Sequence, residues 1–149
     1  MIDFAMTKNE QIEIAFTGLR CTNVVIFSQA SWRFVFEERT VLDVRCPWRI
    51  VTSGGVLLGH CDHQQQFGLL KPMDAKQIAQ RLLEAIVVQV TIREGTTDLF
   101  LVFENGVALE IFNTSSGYEG WECSTNDGFL AIAMGGGGLA TREIDPPTF

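Results

Sequence analysis

Gly59-His60-Cys61-Asp62-His63 sets both histidines of the chain, a thiol and a carboxylate within five residues. A zinc ion takes three or four such ligands in a tetrahedron, usually drawn from two separate elements. His60 and His63 supply two. No second cluster at motif spacing supplies the rest, and the adjacent Cys61 and Asp62 do not readily share one ion with both histidines. The stretch therefore reads as a polar loop, with His60 and His63 as weak metal candidates and no cofactor expected. Gly135-Gly136-Gly137-Gly138 invites a phosphate-loop reading, but Leu-Ala-Thr-Arg-Glu follows it without the lysine and helix such a loop requires. A flexible connection or a close backbone approach fits better. Nucleophilic catalysis lacks a frame too. There is no Gly-x-Ser-x-Gly, and Cys61 beside His60 is a sequence pairing that seldom has catalytic geometry. No catalytic residue is expected.

Tyr118-Glu119-Gly120-Trp121-Glu122 is different. Tyrosine and tryptophan carry much of the binding energy at protein interfaces, and serine and glycine neighbours, here Ser115, Ser116 and Gly117, let such residues adapt. Trp121, opening a strand after a long loop, reads as a core plug. Tyr118 and Glu119 read as a surface loop. The net charge of −7 is concentrated around them: residues 1–97 hold ten acids and ten bases, whereas residues 98–149 hold eight acids and only Arg142. Such a field repels nucleic acid and attracts a basic protein, with association that weakens as salt rises. It also describes an ordinary solvated face. The candidate partner-binding residues are Tyr118, Glu119, Glu122, Asp127 and Glu110.

Other classes recede. Arg33, Arg39, Arg45 and Arg49 lie near Trp32 and Trp48, but Glu37, Glu38 and Asp43 interrupt them, so Arg33, Arg45 and Arg49 read as strand-surface residues paired with these acids rather than as a nucleic-acid stripe. Met1 to Lys8 has no basic region leading into an apolar one, and the longest uncharged stretch, Gly128 to Thr141, carries five glycines and is too short to span a bilayer. Cys21, Cys46, Cys61 and Cys123 are scattered, and read as reduced, packed thiols of a cytoplasmic protein. Neither a membrane nor a nucleic acid is expected as partner. The oligomeric state is not encoded in any visible pattern.

The elements that must position these residues are mostly strands, and 149 residues with 46 % apolar content fit a single α+β domain, residues 1–149. Ile2, Phe4 and Met6, then Ile12, Ile14 and Phe16, alternate as a first hairpin. Residues 24–27 and 32–36 form a second, and a strand over 41–51 breaks at Cys46-Pro47. Ser53-Gly54-Gly55 turns the chain into Val56-Leu57-Leu58. The one main helix spans about 74–86. Asp74 caps it with Gln77 at the third position, Met73 and Ile78 staple it, and Ile78, Leu82, Ala85 and Ile86 form its buried stripe. Lys76, Gln80, Arg81 and Glu84 then face water. Val88, Val90 and Ile92 alternate as a strand leading to the clearest signal: two period-2 runs, 99–104 and 107–111, around Asn105-Gly106, a pair suited to a type I′ turn. Phe129 to Met134 is the closing strand and 141–149 a mobile tail. Trp48 precedes Gly55-Val56-Leu57 at the spacing by which Trp121 precedes Gly128-Phe129-Leu130, and a hairpin lies upstream of each. The sheet is thus expected to be antiparallel, built of hairpins, and possibly pseudo-duplicated.

Leu-Val-Phe-Glu-Asn-Gly-Val-Ala-Leu-Glu-Ile-Phe (101–112), Tyr-Glu-Gly-Trp (118–121) and the glycine-rich close resemble a family of small uncharacterised bacterial domains with a Tyr-Glu-x-Trp segment. The likeness covers residues 86–140, with looser agreement at Trp48-Arg49 and Leu58-Gly59…Asp62. Many members lie beside polymorphic or contact-dependent toxin genes and are taken for immunity proteins. The resemblance implies a non-enzymatic protein that neutralises a toxin domain, here through its acidic surface, and it brings no catalytic residue. The alternative is a small-ligand-binding or hydrolytic α+β domain that uses the His60–His63 loop.

Overall fold

The chain folds as the same arrangement made twice. The computed structural model describes residues 6–28, 30–64 and 68–143. Its first half runs α1 (Lys8–Phe16), β1 (Cys21–Ser28), β2 (Ser31–Phe36), β3 (Val41–Val44), β4 (Trp48–Thr52) and β5 (Gly55–Gly59). The second runs α2 (Ala75–Leu82), β6 (Val87–Ile92), β7 (Leu99–Phe103), β8 (Ala108–Ile111), β9 (Trp121–Ser124) and β10 (Phe129–Ala133), and adds β11 (Leu139–Glu143). Each half is a helix, a three-strand meander and a hairpin that opens on a tryptophan.

The halves exchange their hairpins. β3 pairs with β9 and β8 with β4, which builds one antiparallel sheet in the order β1-β2-β3-β9-β10-β11 and another in the order β5-β4-β8-β7-β6. Register repeats along with topology. Val44 lies opposite Trp121 at one junction and Ile111 opposite Trp48 at the other. Both meanders begin with the same irregularity, a shift after Cys21↔Phe36 and after Val87↔Phe103. Arg20 and Ile86 bridge one another, and their carbonyls accept from Glu37 N and Glu104 N, each at 2.9 Å. A pseudo-twofold axis therefore passes between them. The echo around Trp48 and Trp121 in the sequence is its trace.

Period-2 alternation supplies the inner faces: Trp32, Phe34 and Phe36 from β2 and Leu99, Leu101 and Phe103 from β7 are all buried. The sheets meet face to face, with the Trp32 and Trp48 rings edge to face at 4.7 Å and Phe34 against Trp48 at 5.3 Å. Each such side chain removed from water stabilises the fold by about 1.5–3 kcal/mol. The helices are exchanged as well, α1 packing on β6 and α2 on β1.

Several elements differ from expectation. Residues 8–16 are helical, not the second arm of a hairpin; Ile2, Phe4 and the other residues of 1–5 lie outside the described residues. Thr7 caps the helix, its Oγ1 accepting from Glu10 N at 3.1 Å, and Ile12 and Phe16, four apart, are both buried while Ile14 is exposed. The local cap and the i, i+4 pair override the alternation. Among the described residues there are thus two α-helices, and α2 ends at Leu82, earlier than the predicted 86. Asp74 does cap α2, accepting from Gln77 N at 3.2 Å. The buried face of α2 is rotated onto Ala75, Ala79 and Leu83, with Ile78 and Leu82 only partly buried and Gln80 not fully in water. At Asn105-Gly106 only Gly106 has positive φ (84°), so the turn is not type I′. Phe103 N donates to Val107 O at 2.8 Å across a three-residue loop, while Asn105 Nδ2 donates to Leu82 O at 3.0 Å and ties the turn to α2. The shift in β6 turns Val88 outward. Residues 141–143 are not tail but the end of β11; 144–149 lie outside the described residues. Among the described residues no helix is long and apolar enough to cross a membrane.

Candidate functional site

Gly120 and Trp121 sit where β8 hands the chain to β9, and that connection places the aromatics in opposite environments. Trp121 is fully buried and its Nε1 donates to Thr97 O at 2.8 Å. Tyr118, three residues earlier, is 81 % exposed. The loop that carries it is held in shape. Ser115 Oγ accepts from Gly117 N and Tyr118 N at 3.2 and 2.9 Å, and Ser115 O accepts from Gly136 N at 2.8 Å. A Cβ at Gly135 would collide with the Gly117 backbone, and one at Gly137 with the Gly95 carbonyl. Gly135 and Gly137 therefore serve close backbone approach. Asn113 completes the knot, its Nδ2 donating to Thr96 O, Thr97 Oγ1 and Met134 O at 3.0, 2.9 and 2.9 Å.

Glu119, next to Tyr118 in the chain, borders a hollow of 370 Å³ on the outer face of the six-stranded sheet, floored by Leu130, Ile132, Met134 and Ala140 and closed by Arg142. Glu122 lies beside it, cross-strand from Ile132, with one oxygen 4.0 Å from Arg45 Nη1. Asp127 is on the β9–β10 turn at the far end of β9, where the Thr125 hydroxyl donates to it and holds its pKa below the usual carboxylate value. Glu110 is not part of this surface. It belongs to the five-stranded sheet and accepts from Arg49 Nε at 2.6 Å. Asp98, counted among the eight acids, is buried and accepts from Asn113 N at 2.8 Å. The acidic last third is thus divided between the two sheets and the interior. Arg33 does pair with a predicted acid, Asp43, at 2.7 Å, whereas Arg45 and Arg49 find Glu122 and Glu110.

His60 and Cys61 line a separate cavity of 310 Å³ with Arg45, Cys46, Pro47 and Ala30. His63 does not share that wall; its ring stands edge on to Trp32 at 5.3 Å. Among the described residues no three ligating side chains converge as a metal site would need, and all four cysteines are free. Burial, followed by the charge of Asp98, pushes the Cys46 thiol up to about 12, so it is a poor nucleophile. Sequence reasoning found His60 and Cys61 but missed Arg45, Cys46 and Ala30, which reach the cavity from other loops. Compared with known protein families, with curated proteins and with solved structures, the chain matches none.

Proposed function

We propose that this chain is a non-enzymatic binding protein that holds a basic protein partner on the surface around Tyr118, Glu119 and Glu122. In the reading drawn from the family resemblance, that partner is a bacterial toxin domain and the chain, acting in the cytoplasm, neutralises it. The observation that supports this most is Tyr118, an aromatic ring in solvent on a loop whose backbone is already fixed. An ordered loop loses little entropy on binding, so an aromatic anchor on it is effective. The hollow floored by Leu130 and Ile132 offers apolar contact beside it, and Glu119 and Glu122 offer charge to a lysine or arginine. The charge of −7 would steer the encounter.

The test is a capture experiment with the full chain as bait, in cells of its own source, at low and high salt. A basic protein retained by the wild type, released by high salt and lost with Tyr118→Ala is the expected result. A retained set that ignores both salt and Tyr118→Ala would overturn the reading. Growth protection by the wild type, but not by Tyr118→Ala, against the captured protein would identify neutralisation.

A further inference from the structure

We propose that the outer edge of β6 takes up one extended segment of a basic protein as an added strand, in the groove that α1 forms along it. β6 is the last strand of the five-stranded sheet, and β7 pairs with one side of it only. Arg93 N donates to Asp98 O at 2.9 Å, and with the register Thr91↔Phe100 this turns the main-chain groups of Arg93 and Thr91 toward β7. Main-chain groups alternate along a strand, so those of Val90 and Ile92 point the other way. Val87 faces outward too, its N–H donating to Leu19 O at 2.9 Å and its carbonyl accepting from Gly18 N at 2.8 Å. Beyond it no strand among the described residues pairs with that side. A groove of 470 Å³ runs along it instead. Residues 88–92 all line this groove, and five successive residues share one wall only where a groove follows a strand's edge, because side chains alternate between the two faces. The opposite wall is Asn9, Glu13 and Thr17, one face of α1 at four-residue spacing.

This edge is unguarded. From Val87 to Ile92 there is no charge and no proline, the usual means of blunting an edge. The edge strand β11 of the other sheet carries Arg142 and Glu143, and its Leu139 carbonyl accepts from Lys8 Nζ at 2.9 Å. Charge selects the occupant. Glu13 is the one charged side chain lining the groove; it is exposed and has no ion-pair partner among the described residues. At the Ile92 end the groove opens on a second hollow of 460 Å³, where Lys8 and Arg93 stand with Glu94 and Lys8 is committed to Leu139, so the strand-binding stretch ends there. A second copy of this chain would bring another −7 to the edge and be repelled, whereas a basic segment is drawn in. Main-chain hydrogen bonds hold such an added strand, and a lysine or arginine opposite Glu13 supplies the selection. The groove shares no residue with the surface around Tyr118, and the proposal does not rest on that surface.

Because main-chain bonds carry most of such a contact, a generic strand serves as the probe. It is a capped heptapeptide of lysine, threonine and valine, set beside an analogue with glutamate for lysine and a third N-methylated at two adjacent central amides. Amide hydrogen exchange in the ¹⁵N-labelled full chain reports the outcome. Without peptide, the Val90 and Ile92 amides should exchange at least about tenfold faster than those of Thr91 and Arg93, which face β7. The lysine peptide should slow them about tenfold or more and saturate below about 1 mM, while the other two peptides leave them unchanged. Glu13→Gln should weaken that binding at least about fivefold. Ile92→Pro, which removes an outward N–H and none that faces β7, should weaken it at least about tenfold, and Tyr118→Ala should leave it as it is. Val90 and Ile92 amides already protected in the free chain would show the edge covered, by a second copy where protection grows with concentration and by the chain itself where it does not, and either result overturns the proposal. So would the absence of any response up to about 1 mM, equal binding of the glutamate peptide, or binding that survives both groove variants.

Discussion

Trp48 and Trp121 open equivalent strands, face equivalent partners and are both buried, yet the Trp121 indole is bonded to Thr97 while the Trp48 indole has no partner among the described residues. The contrast lies in the connection that leaves each meander. After β8 come residues that include Asn113 and the Tyr118 loop, and these seal their end of the sandwich and present an aromatic to solvent. After β3 come only Arg45, Cys46 and Pro47, and these border a cavity of 310 Å³. Two copies of one frame have thus diverged where loops, not strands, decide the surface. One became a rigid outward loop and the other a cavity.

The comparison breaks most visibly if the two tryptophans are truncated. Trp121→Ala and Trp48→Ala should each cost about 3–5 kcal/mol by leaving a large cavity in a shared core, read as lowered denaturant midpoints with unchanged slope. A cost below about 1 kcal/mol for either would show that the shared core is not what holds the fold.

A finer cut removes only the N–H. Trp121→Phe strips the buried Thr97 carbonyl of its donor, whereas Trp48→Phe removes a donor that has no acceptor among the described residues. Both lose some volume, so the informative quantity is the difference: Trp121→Phe should be worse by about 1–3 kcal/mol. Equal costs would mean that the two indoles are equally satisfied in solution.

The two ends also differ in pH response. Cys46, Cys21 and Cys123 have thiols raised by burial to about 12, above the value of about 8.5 in an unfolded chain. A folded state that keeps the proton more tightly contributes stability that is fully present below about pH 8.5 and is lost as the pH rises toward 12. Asn113, at the place of Cys46, has no such dependence. Cys46→Ala should therefore flatten the loss of stability above about pH 9 in alkaline denaturation, and unchanged steepness would argue that Cys46 is solvated.

Much of the frame was legible in the sequence. Residues 32–36, 99–103 and 107–111 alternate because one face of each strand is buried, and the break at Cys46-Pro47 falls where the chain crosses from one sheet to the other. The cap at Asp74 was equally plain. Residues 12–16 misled because Ile12, Ile14 and Phe16 fit a strand and a helix alike, and only the Thr7 cap chooses between them. The acidic third could be counted but not placed: whether Asp98 lies in the interior or Glu110 beneath Arg49 depends on exchanged pairing that no local pattern records. The cavity was half visible, as His60 and Cys61. Its other walls, Ala30, Arg45, Cys46 and Pro47, come from the β1–β2 and β3–β4 connections, which the fold and no local pattern brings beside His60.

The smallest expected effect is the one that bears most on function. Tyr118 and Glu119 touch solvent on a loop fixed by Ser115 and by glycine contacts made through the backbone, so neither side chain supports the fold. Tyr118→Ala and Glu119→Ala should change stability by no more than about 0.5 kcal/mol, whereas Trp121→Ala, three residues away from Tyr118, removes several. Partner affinity should run the other way. An aromatic anchor beside an apolar hollow dominates an interface, so Tyr118→Ala should weaken binding by about 2 kcal/mol or more, roughly thirtyfold, and Glu119→Ala by less but with a reduced salt dependence. Melting temperature and affinity measured on the same three variants separate the roles. If Tyr118→Ala lowers the melting temperature while affinity tracks only the folded fraction, the ring is part of the packing and the binding surface must be sought elsewhere on the six-stranded sheet.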